Sequence, residues 1–201
     1  AEFSEAAATV AADEPDYVEL NISCPNVESE FGHPFALDPQ AAAQVTARVR
    51  EVFKGRLLVK LSPNAPDIVA VARAVAEAGA DGLTAVNTLG PGMLLDICAR
   101  QPVLANRVGG VSGPALHPIA VRCVYELSQA VDLPIIGTGG VQCGADALRM
   151  IMAGATAVGI GSALYQEGEA VFGRVLAEME ALMDAEGIAS LAEIRGCAHE
   201  R

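Results

Sequence analysis

The chain has 201 residues, 52% of them hydrophobic, enough for one sizeable core and one domain. Aromatics are only 4% and Trp is absent, so that core must be built from Ala, Val, Leu and Ile. A formal net charge of −12 argues against nucleic acid or an anionic membrane surface as the main partner. No apolar run approaches the roughly 18 to 20 residues needed to span a bilayer.

The opening AEFSEAAATV reads as a helix, with neither a basic region nor a cleavage site, so it is not a signal peptide. It also lacks an initiating Met, and the chain reads as a fragment or a processed piece. Strand-like runs then alternate with Ala-rich helical ones. The strands are expected at 17–23, 57–62, 82–88, 134–140 and 157–162, and the helices at 38–53, 65–79, 117–131, 144–154 and 169–187. Asp38 before Pro39 reads as an N-cap with Pro at N1, and Gly79 and Gly154 as helix stops. This order predicts a parallel sheet with crossover helices. The segments EAGADGLTAV and MAGATAVGIG resemble each other, as consecutive βα units of a barrel do.

Face analysis favours a closed barrel over an open sheet. In YVELNIS, Val18, Leu20 and Ile22 share one face, whereas Glu19, Asn21 and Ser23 share the other. In LLVKLS, Val59 and Leu61 oppose Lys60, and GLTAVNT ends in Asn87 and Thr88. A polar inner face is costly unless its groups are satisfied or bind something. Polar residues near the C-terminal strand ends are where a (β/α)₈ barrel carries its site. A full TIM barrel takes about 250 residues. The five strands here are expected to be its last five, over residues 1–187, followed by a loose C-terminal tail at 188–201.

The glycine pairs of GTGG (137–140) and GIGS (159–162) each follow a strand and precede a helical run. They can be plain tight turns, or N–H cradles for an anion, and two on consecutive strands favour phosphate. GGVSGPA (109–115) is a third glycine-rich stretch, equally readable as a surface loop. Lys60 on an inward face requires a partner, either Glu19 on the neighbouring strand or a bound anionic group. The five cysteines contain no CxxC pair, which is a poor metal site and a poor disulfide framework, and suits a reducing, cytoplasmic setting. Cys98, Cys123 and Cys143 read as packing residues, and His33, His117 and His199 as unconnected to any triad or metal site, with His117 opening a helix. Cys24, between two asparagines in NISCPN, reads either as a small buried hydrophobe or as a base at a pocket mouth.

ELNISCPN, VKLSPN, VNTLGPGMLLDI, PVLANRVGGVSGPALHPIAVR, PIIGTGG and AVGIGSAL, in this order and spacing, resemble dihydroorotate dehydrogenase of class 1, closest to the NAD-linked 1B branch, over residues 1–185. The resemblance implies an FMN-linked (β/α)₈ barrel that oxidises dihydroorotate to orotate in pyrimidine biosynthesis, by proton removal from C5 and hydride transfer to FMN. Carried over by position, Cys24 is the catalytic base, and Asn21, Asn26, Asn87 and Thr88 hold the pyrimidine. Asn21, Lys60, Val86, Gly113, Gly139, Gly140, Gly161 and Ser162 contact FMN, with Lys60 beside the ring and the last four at the phosphate. The stretch 27–39 corresponds to a mobile active-site loop. The family's first strands, a second lysine and an Asn-rich substrate loop have no counterpart here. A catalytically incomplete fragment, or a related FMN barrel such as that of dihydropyrimidine dehydrogenase, are the alternatives. A homodimeric core and an iron–sulfur flavoprotein subunit carrying FAD and a 2Fe–2S cluster are the implied partners.

Overall fold

Alternation within each strand decides which side chains meet the helices and which face away, and the computed structural model, describing residues 2–23 and 34–199, shows how it resolves. In chain order the elements are α1 (Glu2–Ala11), β1 (Tyr17–Asn21), α2 (Pro39–Val52), β2 (Arg56–Leu61), α3 (Ile68–Glu77), β3 (Gly82–Ala85), β4 (Leu89–Gly92), β5 (Leu95–Asp96), β6 (Gln101–Pro102) and β7 (Gly109–Val111). They continue with α4 (His117–Ala130), β8 (Ile135–Thr138), α5 (Gly144–Met152), β9 (Ala157–Gly159), α6 (Ser162–Glu167), α7 (Ala170–Glu186) and α8 (Leu191–Ile194). All five expected strands and all five expected helices are present, with small shifts at their ends. Asp38 caps α2 as its position suggested: Oδ1 accepts from Gln40 N at 2.8 Å and Ala41 N at 3.0 Å, with Pro39 opening the helix. Asp67 caps α3 in the same way through Ala70 N, which explains why that helix starts later than its apolar pattern.

The main sheet is parallel throughout, in the order β1-β2-β3-β8-β9. That is chain order, and the helices follow suit: α2 packs on α3, α3 on α4, α4 on α5 and α5 on α7. Consecutive helices touch only if every crossover lies on the same side of the sheet, since a doubly wound sheet divides them between two faces. The arrangement is therefore a stretch of barrel wall. Leu20, Leu57, Val59, Leu61, Leu83, Ala85 and Ile135 are buried on the helix side. Asn21, Lys60, Thr84, Ile136 and Ala157 line up in one register row on the other. That inner face carries a cleft of about 550 Å³ at its N-terminal half, bounded by Tyr17, Arg56, Leu58 and Ile136.

Two features depart from expectation. Residues 109–111, readable as loop, form β7, which pairs antiparallel with β4, while β5 pairs with β6 to extend the same arm between β3 and α4. Pro91 and the glycines of this segment erase any alternation, so only backbone pairing makes it a ribbon. The C-terminal tail is also not loose. Ile194 is buried, Gly196 N donates to Ile151 O at 3.1 Å, and His199 Nε2 lies 2.8 Å from Ser128 Oγ.

A single arginine ties the N-terminal ends of two strands to a helix. Arg50 Nε donates to Gly79 O at 2.9 Å, Nη1 donates to Gly55 O at 2.8 Å, and Nη2 pairs with Asp81. Asp81 Oδ2 in turn accepts from Leu57 N at 2.8 Å, at the start of β2. Arg50→Ala should destabilise the fold by about 2 kcal/mol in denaturant titration. A loss under about 0.5 kcal/mol would mean that water replaces these bonds at no net cost.

Candidate functional site

Parallel pairing carries the last residues of β2, β3, β8 and β9 to one edge, where they enclose a polar cavity of about 140 Å³. Lys60, Val86, Asn87, Thr88, Gly113, Gly139, Gly140, Gly161 and Ser162 line it, which brings together nine of the residues singled out in the sequence. Ser112, Leu116 and Thr138 complete the wall and were missed. Thr138 lies inside GTGG and follows the inward alternation of β8, so its period-2 position was an available signal. Asn21 does not line the cavity; its backbone pairs with Lys60 in register, and its Oδ1 accepts from Ser23 N at 3.2 Å and Ser23 Oγ at 2.9 Å. Cys24, Asn26 and residues 27–33 of the expected mobile loop lie outside the described residues.

Asn87, just after β3, ties together the C-terminal ends of β1 and β2. Its backbone N–H donates to Leu61 O at 2.9 Å, and its Nδ2 donates to Ser23 O at 2.7 Å. Ser23 is buried and its carbonyl belongs to the peptide that leads into Cys24. Asn87 thus anchors the backbone one residue before that thiol.

Both readings of Lys60 have support. Nζ stands 3.8 Å from Glu19 Oε1, an ion pair longer than a hydrogen bond, while Glu19 Oε2 accepts from Thr84 Oγ1 at 2.7 Å. The ammonium also lines the cavity, and among the described residues no hydrogen bond takes its donors. Glu19 therefore offsets part of the cost of holding a cation on the inner face, without saturating it.

The glycine turns have different causes. Gly140 has φ of +68°, and a Cβ there would stand 2.5 Å from Gly113 O, so the fold itself excludes a side chain. Gly161 has φ of −116°, and among the described residues no atom beyond its chain neighbours lies within 4 Å of where its Cβ would sit. No neighbouring side chain demands glycine at 161, which borders the cavity. Away from the cavity, burial pushes the Cys123 thiol up, in keeping with a packing role. Among the described residues there is no cluster of three or more His, Cys, Asp or Glu able to hold a metal.

Fold and cavity together define a barrel-type α/β protein with its site at the C-terminal strand ends. A family model described as Dihydroorotate dehydrogenase matches residues 1–183, and the chain belongs to that family. It is 44% identical over 199 residues to the dihydroorotate dehydrogenase B (NAD(+)), catalytic subunit, of Methanothermobacter thermautotrophicus, covering 99% of this chain and 65% of that protein. To the subunit of the same name in Exiguobacterium sibiricum it is 50% identical over 182 residues, covering 90% of this chain and 58% of that one. The chain thus spans 58 to 65% of the length of these two relatives. The crystal structure of dihydroorotate dehydrogenase from Eimeria tenella in complex with ferulenol superposes with a TM-score of 0.80 at 22% identity. That match covers 98% of this chain and 57% of the other, and supports the fold.

Gly140→Ala should lower stability by about 1–3 kcal/mol through left-handed strain and contact with Gly113 O. Gly161→Ala should melt within about 0.5 kcal/mol of the unsubstituted chain. Equal destabilisation of the two in thermal denaturation would show that 161 is also held by the fold alone.

Proposed function

We propose that these residues serve the oxidation of dihydroorotate to orotate with FMN as cofactor, in pyrimidine biosynthesis. The observation that carries this reading is the convergence of Lys60, Asn87, Thr88 and three glycine turns on one cavity in a chain of this family. The residues present fit the phosphate end of FMN: the 139–140 and 161–162 turns offer backbone N–H groups, and Gly161 leaves room where a Cβ would intrude. The chemistry that FMN supplies when bound is acceptance of the two electrons removed from dihydroorotate. Lys60, which lines the cavity, would supply a positive charge to the bound flavin and favour negative charge developing on it.

Cys24 acts as the base that takes the proton from C5. A free thiol has a pKa near about 8.5, so the site must favour its thiolate. Asn87 supports this by holding the Ser23 carbonyl and with it the approach of the chain to Cys24. Asn21, Asn26, Asn87 and Thr88 orient the pyrimidine through its carbonyl and N–H groups, as amides and hydroxyls can do on both edges.

The electron acceptor would be a partner, an iron–sulfur flavoprotein subunit that would hold FAD and a 2Fe–2S cluster and supply the link to NAD. The relatives' designation as NAD(+)-linked catalytic subunits supports a partner of that kind. A second copy of this chain completes a homodimer, and the arm offers it apolar surface at Met93, Leu94 and Ile97. We place the protein in the cytoplasm; among the described residues no helix is long and apolar enough to cross a membrane.

The open inner face favours a second reading, in which these residues require further polypeptide before flavin binds. The test is an anaerobic visible spectrum of the chain with FMN, before and after dihydroorotate. Bleaching of the flavin band supports a working half-reaction here, and absence of bound flavin supports the second reading. In a flavin-loaded enzyme, Cys24→Ala should abolish dihydroorotate oxidation and leave flavin bound; loss of the flavin would overturn its role as base. Lys60→Ala should lower FMN retention, and unchanged flavin content and turnover would reduce Lys60 to the partner of Glu19.

A further inference from the structure

Behind the glycine turn at 139–140 lie a buried histidine and a half-buried aspartate that the reaction itself does not use. His117, the first residue of α4, is only 8% exposed. Its Nδ1 stands 3.1 Å from Gly139 O, and its Nε2 stands 3.6 Å from Asp146 Oδ1 without a hydrogen-bond partner among the described residues. A carbonyl oxygen can only accept, so Nδ1 carries the hydrogen and donates it to Gly139. Asp146 is itself fixed: Oδ2 accepts from Gln142 N at 3.0 Å and Oδ1 from Arg149 Nη1 at 2.6 Å. Burial pushes the Asp146 carboxyl up, but the Gln142 N–H, His117, Cys143 and Arg149 outweigh it and leave it below the usual range.

This pair touches the cavity through backbone. The Cβ position of Gly140 lies 2.8 Å from His117 N and 2.9 Å from His117 Cβ, so the turn rests directly on the histidine. From the same stretch of chain, Gln142 Nε2 donates to Ser162 Oγ at 3.4 Å, on the opposite wall of the cavity. The imidazole thus sets the peptide that follows Gly139, whose N–H belongs to Gly140.

We propose that His117 is a positioning residue for phosphate recognition: buried beside Asp146, it holds the Gly139 carbonyl through Nδ1 and so aims the Gly139–Gly140 turn at the phosphate monoester of the flavin nucleotide. The inference rests on reading the cavity as the FMN phosphate site. It separates His117 from a merely structural histidine, because its loss must act on the phosphate and spare the ring.

Riboflavin, which lacks the phosphate, makes that separation measurable. The full chain is titrated with FMN and with riboflavin by flavin fluorescence, and its thermal protection by inorganic phosphate is measured alongside. His117→Ala should weaken FMN by about tenfold or more, leave riboflavin unchanged and remove the protection by phosphate. His117→Asn, whose Nδ2 can reach Gly139 O from the place of Nδ1, should recover most of the preference for FMN. An unchanged ratio of FMN to riboflavin affinity in His117→Ala, or equal loss of both, would overturn the inference while leaving the phosphate site standing. A chain with His117 intact that does not prefer FMN over riboflavin and gains no protection from phosphate would instead overturn the phosphate reading, and the inference with it.

Discussion

Parallel strand pairing is the constraint on which everything else in this protein depends. Because β1, β2, β3, β8 and β9 all run the same way, every strand ends at the same edge, and residues at or just after the ends of β2, β3, β8 and β9 border the same space. Residues far apart in sequence, such as Lys60, Asn87, Gly140 and Ser162, meet without any special contact to recruit them. Crossover helices then have to return the chain to the opposite edge, and their side-by-side packing fixes which face of the sheet is the core.

The other face shows what that geometry costs. Polar side chains on an inner strand face must find partners or a ligand where they lose water, as Thr84 does fully and Lys60 in part. Glu19, Lys60 and Thr84 answer this with one short hydrogen bond and one longer ion pair, an arrangement that holds the cation in place and leaves it able to meet a further anionic group. The glycine turns follow a related division. Gly140 is glycine because neighbouring backbone occupies the space of a side chain, and Gly161 has open space that the protein does not fill. The first is dictated by the fold, whereas the second is an exposed position at the edge of the cavity that no neighbouring side chain crowds.

The arm between β3 and α4 stands apart from this scheme. Its ribbons project Leu94, Leu95 and Ile97 outward, and it is held at its base where Gly90 N donates to Asn64 Oδ1 at 3.1 Å. Asn64 belongs to the turn after β2, so the same edge that forms the cavity also anchors the arm.

The strands, helices, caps and one-sided alternation were legible in the sequence because each rests on local periodicity or on a neighbour a few residues away, as with Asp38 and Pro39 or Val59 and Lys60. The family motifs likewise marked Lys60, Asn87 and the glycine turns, and the cavity gathers them. The ribbon at 89–111 was not legible, because glycine and proline leave no alternation and pairing there is between backbones. Nor was the placement of His117, which has nothing in its own segment to distinguish it from a helix-opening residue; its neighbours Gly139 and Asp146 come from the turn after β8 and from α5, across contacts that only packing creates. The sequence by itself determined the alternating elements and their faces, since periodicity is a property of the chain. Only the tertiary structure decided which distant polar groups share one cavity, since that depends on the register of strands and the seating of helices.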